Sequence, residues 1–196
     1  MSIPFSEEKA AIRKEMLAAM KAHAEDAAGE RRDRLTENLR SLPEYKAARR
    51  ILAYLALPGE ADLDRFLTLA LGEGKEIYIP VCLPGRRMEA GRLLSMAHFR
   101  KGPYGLRDLP EGYETAGGET MDLLLVPAVA CDRKGRRLGH GAGYYDRYLA
   151  GIREDRCMAV LWSFQIVPAV PAAEYDRNMA GFITEEEIYR RPSRRG

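Results

Sequence analysis

Apolar residues along the chain form five short runs, and stretches with helical spacing separate several of them. The runs predict buried strands at 49–57, 75–81, 121–130, 157–162 and 181–184, and MDLLLVPAVA (121–130) is the clearest of them. Helices are predicted at 6–24, 25–41, 61–72, about 143–150, and in the acidic segment after 184. Residues 83–118 predict turns and two short strands, one of them at 93–99. Strands that alternate with helices favour a three-layer α/β/α domain with a mainly parallel, Rossmann-like sheet.

The first predicted helix has Ser6 as its N-cap and one apolar face. That face comprises Ile12, Met16, Leu17 and Met20. Lys9 and Arg13 lie within the face, whereas Lys14, Glu15 and Lys21 lie outside it. Two cations one turn apart on a buried face need an anionic partner, because unpaired burial of charge is costly. The partner is either an acidic side chain in a structural ion pair or the phosphate of a ligand.

Composition narrows the class of protein. The chain has 196 residues, 46% of them hydrophobic and 31% charged, which suits a single soluble α/β domain over 1–189 with a loose basic tail at 190–196. A net charge of only +2 disfavours a general nucleic-acid binder. Three cysteines without a C-x-x-C pair argue against a disulfide framework and a zinc site. With no signal-peptide pattern and no membrane-spanning apolar run, we expect a cytoplasmic monomer without a membrane partner.

The segment DRKGRRLGHGAGYYDRYL (132–149) is the most informative part of the sequence. It follows the clearest strand and precedes a helix, which is where open α/β sheets bind ligands. Its glycines, at 135, 139, 141 and 143, allow amide groups to approach and surround an anion. It matches neither the Walker A pattern nor G-x-G-x-x-G after a first strand. A glycine-rich solvent loop is the alternative interpretation.

Several side chains in this loop are candidates for binding chemistry. Arg136 and Arg137 carry forked donors that suit phosphate oxygens. Asp146, in the first turn of the following helix, is either a helix-start aspartate or a magnesium ligand. Tyr144 and Tyr145 pack against the core or stack on a flat ligand.

Taken together, these residues resemble the 5-formyltetrahydrofolate cyclo-ligase family. The loop GRRLGHGAGYYDR is similar to that family's G-x-R-L-G-x-G-x-G-Y-Y-D-R signature, and Lys9-x-x-x-Arg13 is similar to its N-terminal K-x-x-x-R. Glu60 after the first strand, Pro80 at the second, and the final segment VPAAEYDRNMAGFITEE also agree. The resemblance covers nearly the whole chain and is weakest over 83–118.

The resemblance implies closure of 5-formyltetrahydrofolate to 5,10-methenyltetrahydrofolate with consumption of ATP and release of ADP and phosphate. It implies that ATP and its Mg²⁺ are bound, with Arg137 and Asp146 as the catalytic pair. The implied ATP contacts are Lys9, Arg13, Arg137, Gly139, His140, Gly141, Ala142, Gly143, Tyr144 and Tyr145. The implied Mg²⁺ ligands are Asp146 and Asp176, and the implied folate contacts are Leu55, Glu60, His140 and Tyr144.

The sequence departs from the family pattern at a few positions: His140, Ala142, Ala180 and the segment 104–110. Glu60 also has a simpler interpretation as the residue that opens the helix it precedes. Two other functions therefore stay open. One is an ATP-dependent enzyme that acts on another small amide or acid. The other is a non-catalytic folate- or nucleotide-binding protein with an RNA partner at its basic tail.

Overall fold

The computed structural model describes residues 5–23, 29–102, 107–171 and 176–192. The helices are α1 (Phe5–His23), α2 (Glu30–Ser41), α3 (Pro43–Ala47), α4 (Asp64–Gly72) and α5 (Tyr144–Tyr148). The first six strands are β1 (Arg50–Leu52), β2 (Glu76–Leu83), β3 (Arg87–Leu93), β4 (Arg100–Lys101), β5 (Arg107–Asp108) and β6 (Thr115–Ala116). The others are β7 (Leu123–Pro127), β8 (Ala130–Cys131), β9 (Arg137–Leu138), β10 (Cys157–Val160), β11 (Gly181–Ile183) and β12 (Ile188–Arg190).

Eight strands form one sheet in the order β12-β11-β10-β7-β1-β2-β3-β6. The central pairings β11–β10, β10–β7, β7–β1 and β1–β2 are parallel. The edge pairings to β12, β3 and β6 are antiparallel, and β4–β5 and β8–β9 are separate two-stranded hairpins. The prediction of a mainly parallel sheet is therefore confirmed.

Alternate residues of β7 face two different helical layers, as a strand buried on both sides requires. Leu123 and Leu125 share a hydrophobic cluster with apolar residues of α2, α3 and α4. Leu124 and Val126 belong to the cluster on the other face, where residues of α5 and the turn after it pack. The sheet thus lies between helices on both faces, and the predicted three-layer α/β fold is confirmed.

Helix α1 packs on the β8–β9 hairpin rather than on either face of the main sheet. Met16 and Met20 share a buried cluster with Val129, Leu138 and Val170. The predicted apolar face of this helix is correct except at Leu17, whose residue surface is 37% exposed. The hairpin presents a narrow surface, so the contact covers only the stripe through Met16 and Met20. Lys14, Glu15 and Lys21 are exposed as predicted.

The predicted strand at 93–99 is wrong, because the strand here ends where that prediction begins. Gly85, with a φ of 73°, allows a tight turn that folds β3 back on β2. Pairing runs from Leu83 opposite Arg87 to Ile77 opposite Leu93, and the chain then leaves the sheet. The turn sets the register, and the apolar run beyond Leu93 has no strand to pair with in the described part of the chain.

The predicted final helix is also wrong. The Thr184 hydroxyl accepts the amide hydrogens of Glu186 and Glu187, and the Thr184 amide donates to the Glu187 carbonyl. This tight turn returns the chain as β12, antiparallel to β11.

The ends of other predicted elements also shift. Pro43 opens the additional helix α3 instead of marking a plain helix end. Residues 24–28, which include the predicted start of the second helix, lie outside the described residues. Arg190 and Arg191, the first two residues of the predicted loose tail, pair with Glu44 and Glu154.

No helix of the described ranges is long and apolar enough to cross a membrane.

We expect one fast-reacting thiol in the native protein, that of Cys82. All three cysteines are free, and burial raises the pKa of each thiol, to about 12 for Cys131 and Cys157, but of the three only Cys82 is exposed to a reagent. Titration with a chromogenic disulfide reagent checks this, with Cys82→Ser as the control that removes the fast phase. A fast phase that persists in Cys82→Ser would contradict the burial of the other two thiols.

Candidate functional site

The candidate site lies at the edge where the parallel strands end. Three segments leave the sheet there: residues 53–60 after β1, residues 128–143 after β7, and residues 161–170 after β10. Parallel strands bring their carboxyl ends to one edge, which is the usual ligand edge of such sheets. The glycine-rich segment predicted from sequence belongs to the second of these, where β8 and β9 form a hairpin.

A buried carboxylate, Asp132, holds the turn of that hairpin. Its Oδ1 accepts the amide hydrogens of Lys134 (2.8 Å) and Arg136 (3.0 Å), and its Oδ2 accepts that of Val170 (2.9 Å). The residue is 1% exposed, so these three donors offset the loss of its hydration. Sequence reasoning missed it, although an aspartate that directly follows a buried strand is a common turn initiator.

Gly135 fixes the same turn against the segment before β11. Its φ is 77°, and a Cβ atom there would lie 2.4 Å from the Met179 carbonyl oxygen. The Met179 amide donates to the Gly135 carbonyl oxygen at 2.8 Å. Of the four glycines in the loop, this one serves packing and backbone geometry rather than ligand access.

A second buried polar side chain, Gln165, holds the segment that leads into the hairpin. Its amide nitrogen donates to the carbonyl oxygens of Ala128 (2.8 Å) and Val129 (3.0 Å). Its oxygen accepts the Trp162 amide hydrogen at 2.8 Å. The residues after β10 are thereby joined to those after β7. Nothing in the local sequence identifies Gln165 as a contact of this kind.

Arg137 is the most buried cation of the site, with a side chain 4% exposed. Its Nη2 donates to Asp146 Oδ1 at 2.8 Å, and its Nη1 donates to the Pro127 carbonyl oxygen at 3.4 Å. Its Nε is buried without a protein partner among the described residues. A Cβ atom at Gly139 would lie 2.8 Å from Nη1, so glycine leaves the space that this guanidinium uses. The predicted pair of Arg137 and Asp146 is thus brought together.

Helix α1 places its two cations differently. Arg13 Nε donates to the Gly139 carbonyl oxygen at 2.9 Å, and the position of a Gly141 Cβ atom is 3.5 Å from Arg13 Cζ. Lys9 Nζ pairs with Asp176 Oδ2 at 2.5 Å. Arg13 therefore reaches the glycine-rich loop as predicted, and Lys9 has the acidic side-chain partner that was one of its two predicted alternatives.

Glu60 and His140 meet across the site, although they are 80 residues apart. His140 Nε2 lies 2.8 Å from Glu60 Oε1, and Glu60 Oε2 accepts the Leu57 amide hydrogen at 2.9 Å. The Glu60 side chain is 5% exposed and the His140 side chain 40%. Glu60 does not open the following helix: α4 begins at Asp64, whose amide is held by Asp62.

Tyr145 and Tyr148 of α5 pack against the sheet face that carries Leu124 and Val126. The hydroxyl groups of Tyr145 and Tyr148 are buried without partners among the described residues. Burial, and then the negative charge of Glu60, raise the pKa of Tyr145 well above its usual range, so this hydroxyl remains a hydrogen-bond donor. The Arg137 guanidinium lies 5.6 Å from the Tyr145 ring centre. Tyr144 and Leu55 are partly buried.

The acidic residues fit a metal ion only together with a ligand that supplies further oxygens. The described residues contain no group of three or more histidines, cysteines or acidic residues placed to hold a metal. Asp146 pairs with Arg137 and Asp176 with Lys9. Mg²⁺ bound to nucleotides uses one or two carboxylates, phosphate oxygens and water, so these aspartates suit that mode.

A cleft of about 500 Å³ at the opposite edge of the sheet does not resemble a reaction site. Two of its charged side chains bind each other, because Glu73 accepts from the Arg40 side chain and also from the Tyr45 hydroxyl. Lys75 donates to three carbonyl oxygens around the end of α3, including that of Ala48 at 2.6 Å. These contacts hold α3 in place.

Comparisons with known proteins agree with the geometry. The model of the 5-formyltetrahydrofolate cyclo-ligase family matches residues 5–185. A probable 5-formyltetrahydrofolate cyclo-ligase of Schizosaccharomyces pombe is 30% identical, over 76% of this chain and 81% of that protein. The enzyme of Mycolicibacterium smegmatis is 32% identical, over 70% and 74%. The solved 5,10-methenyltetrahydrofolate synthetase of Aquifex aeolicus has a TM-score of 0.83 and 31% identity, with 96% and 95% covered.

We expect Gly135→Ala to destabilise the fold more than Gly151→Ala. Both residues have positive φ, but the space around Gly151 is open, whereas a Cβ atom at Gly135 meets backbone. Strain alone costs about 1 kcal/mol, and the clash adds roughly 1–3 kcal/mol. Urea unfolding of the two variants measures the difference. Equal losses would show that the hairpin turn is not packed against Met179.

Proposed function

The chain belongs to the 5-formyltetrahydrofolate cyclo-ligase family, and from that premise we propose that ATP and Mg²⁺ drive its reaction. Membership makes the chain an enzyme, a folate cyclo-ligase. The proposed reaction is closure of 5-formyltetrahydrofolate to 5,10-methenyltetrahydrofolate with release of ADP and phosphate. The observation that carries this proposal is the position of two arginines, Arg13 and Arg137, which both lie against the loop 139–143.

The nucleotide phosphates are proposed to bind where these arginines, Lys9 and the loop backbone meet. Arg13 contacts the carbonyl of Gly139 rather than an acidic side chain, so its fork keeps donors for phosphate oxygens. Gly141 and Gly143 have φ of 99° and 70°, conformations that let successive amides face one anion. Arg137 keeps a buried Nε without a described partner. His140, Ala142, Tyr144 and Tyr145 complete the proposed nucleotide contacts.

Asp146 and Asp176 are the residues proposed to hold Mg²⁺. Each already binds a cation, Arg137 and Lys9 respectively. Entry of an anionic nucleotide would give both cations a new partner and leave the carboxylates available. When bound, Mg²⁺ neutralises charge on the phosphate oxygens.

The proposed chemistry replaces a poor leaving group with a good one. The formyl oxygen attacks the terminal phosphorus of ATP, and the bond from that phosphorus to the ADP oxygen breaks. The resulting phosphorylated formyl carbon is imidate-like, and the neighbouring N10 nitrogen attacks it. The carbon–oxygen bond then breaks, phosphate leaves with the former formyl oxygen, and N10 loses its proton. Such phosphoryl transfer depends on positioning and on charge neutralisation, the roles proposed for Arg137 and Asp146.

The folate is proposed to lie against Leu55, Glu60, His140 and Tyr144. Glu60 is a buried acceptor at this position and suits the N–H groups of the folate ring system. Of the segment that departs from the family pattern, residues 103–106 lie outside the described ranges. Asp108 in the same segment is bound by Arg100 within the β4–β5 hairpin.

We further propose a monomer that acts in the cytoplasm. The exposed large apolar side chains of the described ranges, Leu17, Leu94 and Ile188, lie on separate elements or loops rather than on one strand or helix face. The three cysteines are unpaired, as is usual in a reducing compartment.

The Asp146→Ala variant should form 5,10-methenyltetrahydrofolate at a rate at least about 100-fold lower than wild type, because the charge balance around the phosphates is lost. The measurement is near-ultraviolet absorbance of the product with ATP and Mg²⁺ present. Asp155→Ala is the matched control, because Asp155 also pairs with an arginine, Arg153, but is exposed and has no proposed ligand contact. Wild-type protein that binds ATP yet forms no product would overturn the proposed reaction and leave other acceptors to be screened.

Lys9→Ala should raise the KM for ATP about tenfold and leave the KM for 5-formyltetrahydrofolate nearly unchanged, because ATP is the only one of the two substrates that Lys9 is proposed to contact. Lys14→Ala, an exposed cation on the same helix, is the control. Steady-state kinetics with each substrate varied in turn separates the two constants. A rise confined to the folate KM would contradict the assignment.

A further inference from the structure

The Glu60 carboxylate is buried, and its bonding is unusual for a substrate contact. Of its two oxygens, Oε2 accepts a backbone amide hydrogen from Leu57, and Oε1 meets His140 Nε2. His140 is the only side chain bonded to this carboxylate within the described ranges. A buried carboxylate with so few donors depends strongly on each of them.

The groups that face Glu60 from other elements do not replace His140. The Tyr54 hydroxyl donates to the Ala61 carbonyl oxygen at 2.8 Å. The Tyr145 hydroxyl has no described hydrogen-bond partner, Glu60 included. Burial, and then the charge of Glu60, keep the pKa of both phenols above the usual range, so neither becomes an anion. Among the described residues, only the imidazole forms a side-chain hydrogen bond from the glycine-rich loop to the Glu60 carboxylate.

The backbone on both sides of His140 is held in place from α1. Arg13 Nε donates to the Gly139 carbonyl oxygen at 2.9 Å, and Gly141 lies against the same guanidinium. The tripeptide 139–141 therefore connects a proposed phosphate-binding residue, Arg13, with a proposed folate-binding residue, Glu60. The imidazole is not loosely placed: its backbone is fixed from α1, and its Nε2 is fixed by the carboxylate.

We propose that His140 is a positioning residue, which holds the Glu60 carboxylate in the orientation that folate binds and thereby sets the affinity for folate. This inference rests on the proposed function. With Nε2 as donor to one oxygen and the Leu57 amide as donor to the other, the carboxylate keeps about two further lone-pair sites for N–H groups of the folate ring system. Without the imidazole, the side chain loses a donor and turns from that orientation.

A double-mutant cycle separates this role from an effect of His140 on folate binding that is independent of Glu60. The variants are His140→Ala, Glu60→Gln and the double variant, in the full chain, with the Kd of 5-formyltetrahydrofolate measured by calorimetry. We expect His140→Ala to weaken binding about tenfold in the wild-type background and less than about twofold in the Glu60→Gln background. The Kd of ATP should stay within about twofold in Glu60→Gln, since Glu60 is not a proposed nucleotide contact, and any change caused by His140→Ala should be the same in both backgrounds. Additive effects would mean that His140 contributes to folate binding independently of Glu60 and would overturn the proposal, as would unchanged folate affinity in His140→Ala.

Two conservative variants test the chemistry of the contact. The side-chain amide of His140→Gln places an N–H donor near the position of Nε2, whereas that of His140→Asn reaches only the position of Nδ1. We expect Gln to restore most of the folate affinity and Asn to behave like Ala. Equal behaviour of the two variants would overturn a role that depends on donation from Nε2.

Failure of the proposed function would be seen separately. Wild-type protein that binds no 5-formyltetrahydrofolate would refute the proposed substrate. The contact between His140 and Glu60 would then be tested by urea unfolding of the four proteins of the cycle: wild type, His140→Ala, Glu60→Gln and the double variant. Non-additive losses of stability would show that His140 holds Glu60. Additive losses would overturn that contact as well.

Discussion

The geometry of the candidate site depends on the buried carboxylate of Asp132. It accepts three backbone amide hydrogens, two within its own turn and one from Val170, and so fixes the hairpin from which Arg137 and the loop glycines project. Gly135 packs the same turn against Met179, and Gln165 binds the two carbonyls that precede β8. These contacts come from side chains that touch no proposed ligand. They keep the loop rigid, which is what binding of phosphates by backbone amides requires.

Most charged side chains proposed to bind ligands already have a partner in the protein. Arg137 binds Asp146, Lys9 binds Asp176, and Glu60 binds His140, while Arg13 holds a loop carbonyl. Charges that are largely removed from water need such partners, since a lone buried charge is strongly destabilising. The same pairs also hold these side chains close together before a nucleotide binds. A nucleotide with Mg²⁺ brings both signs of charge, so it can replace each internal pair without leaving an uncompensated ion.

The parallel centre of the sheet and the glycine-rich loop could be predicted from sequence, because both depend on local pattern. Runs such as 121–130 are apolar on both faces, and the loop signature is long and specific. What could not be predicted depends on contacts between distant residues. The acidic run after Thr184 resembles a helix start, yet Glu185 is buried and binds Arg31 and Ser163. The strand predicted at 93–99 is absent, because the turn at Gly85 sets the register of β3 and the pairing with β2 ends at Leu93. The partnership of Glu60 with His140 joins two loops that no local pattern relates.

The central claim is that ATP activates the formyl oxygen itself. If 5-formyltetrahydrofolate carries ¹⁸O in its formyl group, that oxygen must leave in the phosphate, because it bonds to phosphorus before the ring closes. Mass spectrometry of the inorganic phosphate after a single turnover tests this directly. The account predicts one ¹⁸O atom in each phosphate formed. Unlabelled phosphate, released together with 5,10-methenyltetrahydrofolate, would show that ATP hydrolysis and ring closure proceed without a phosphorylated formyl group.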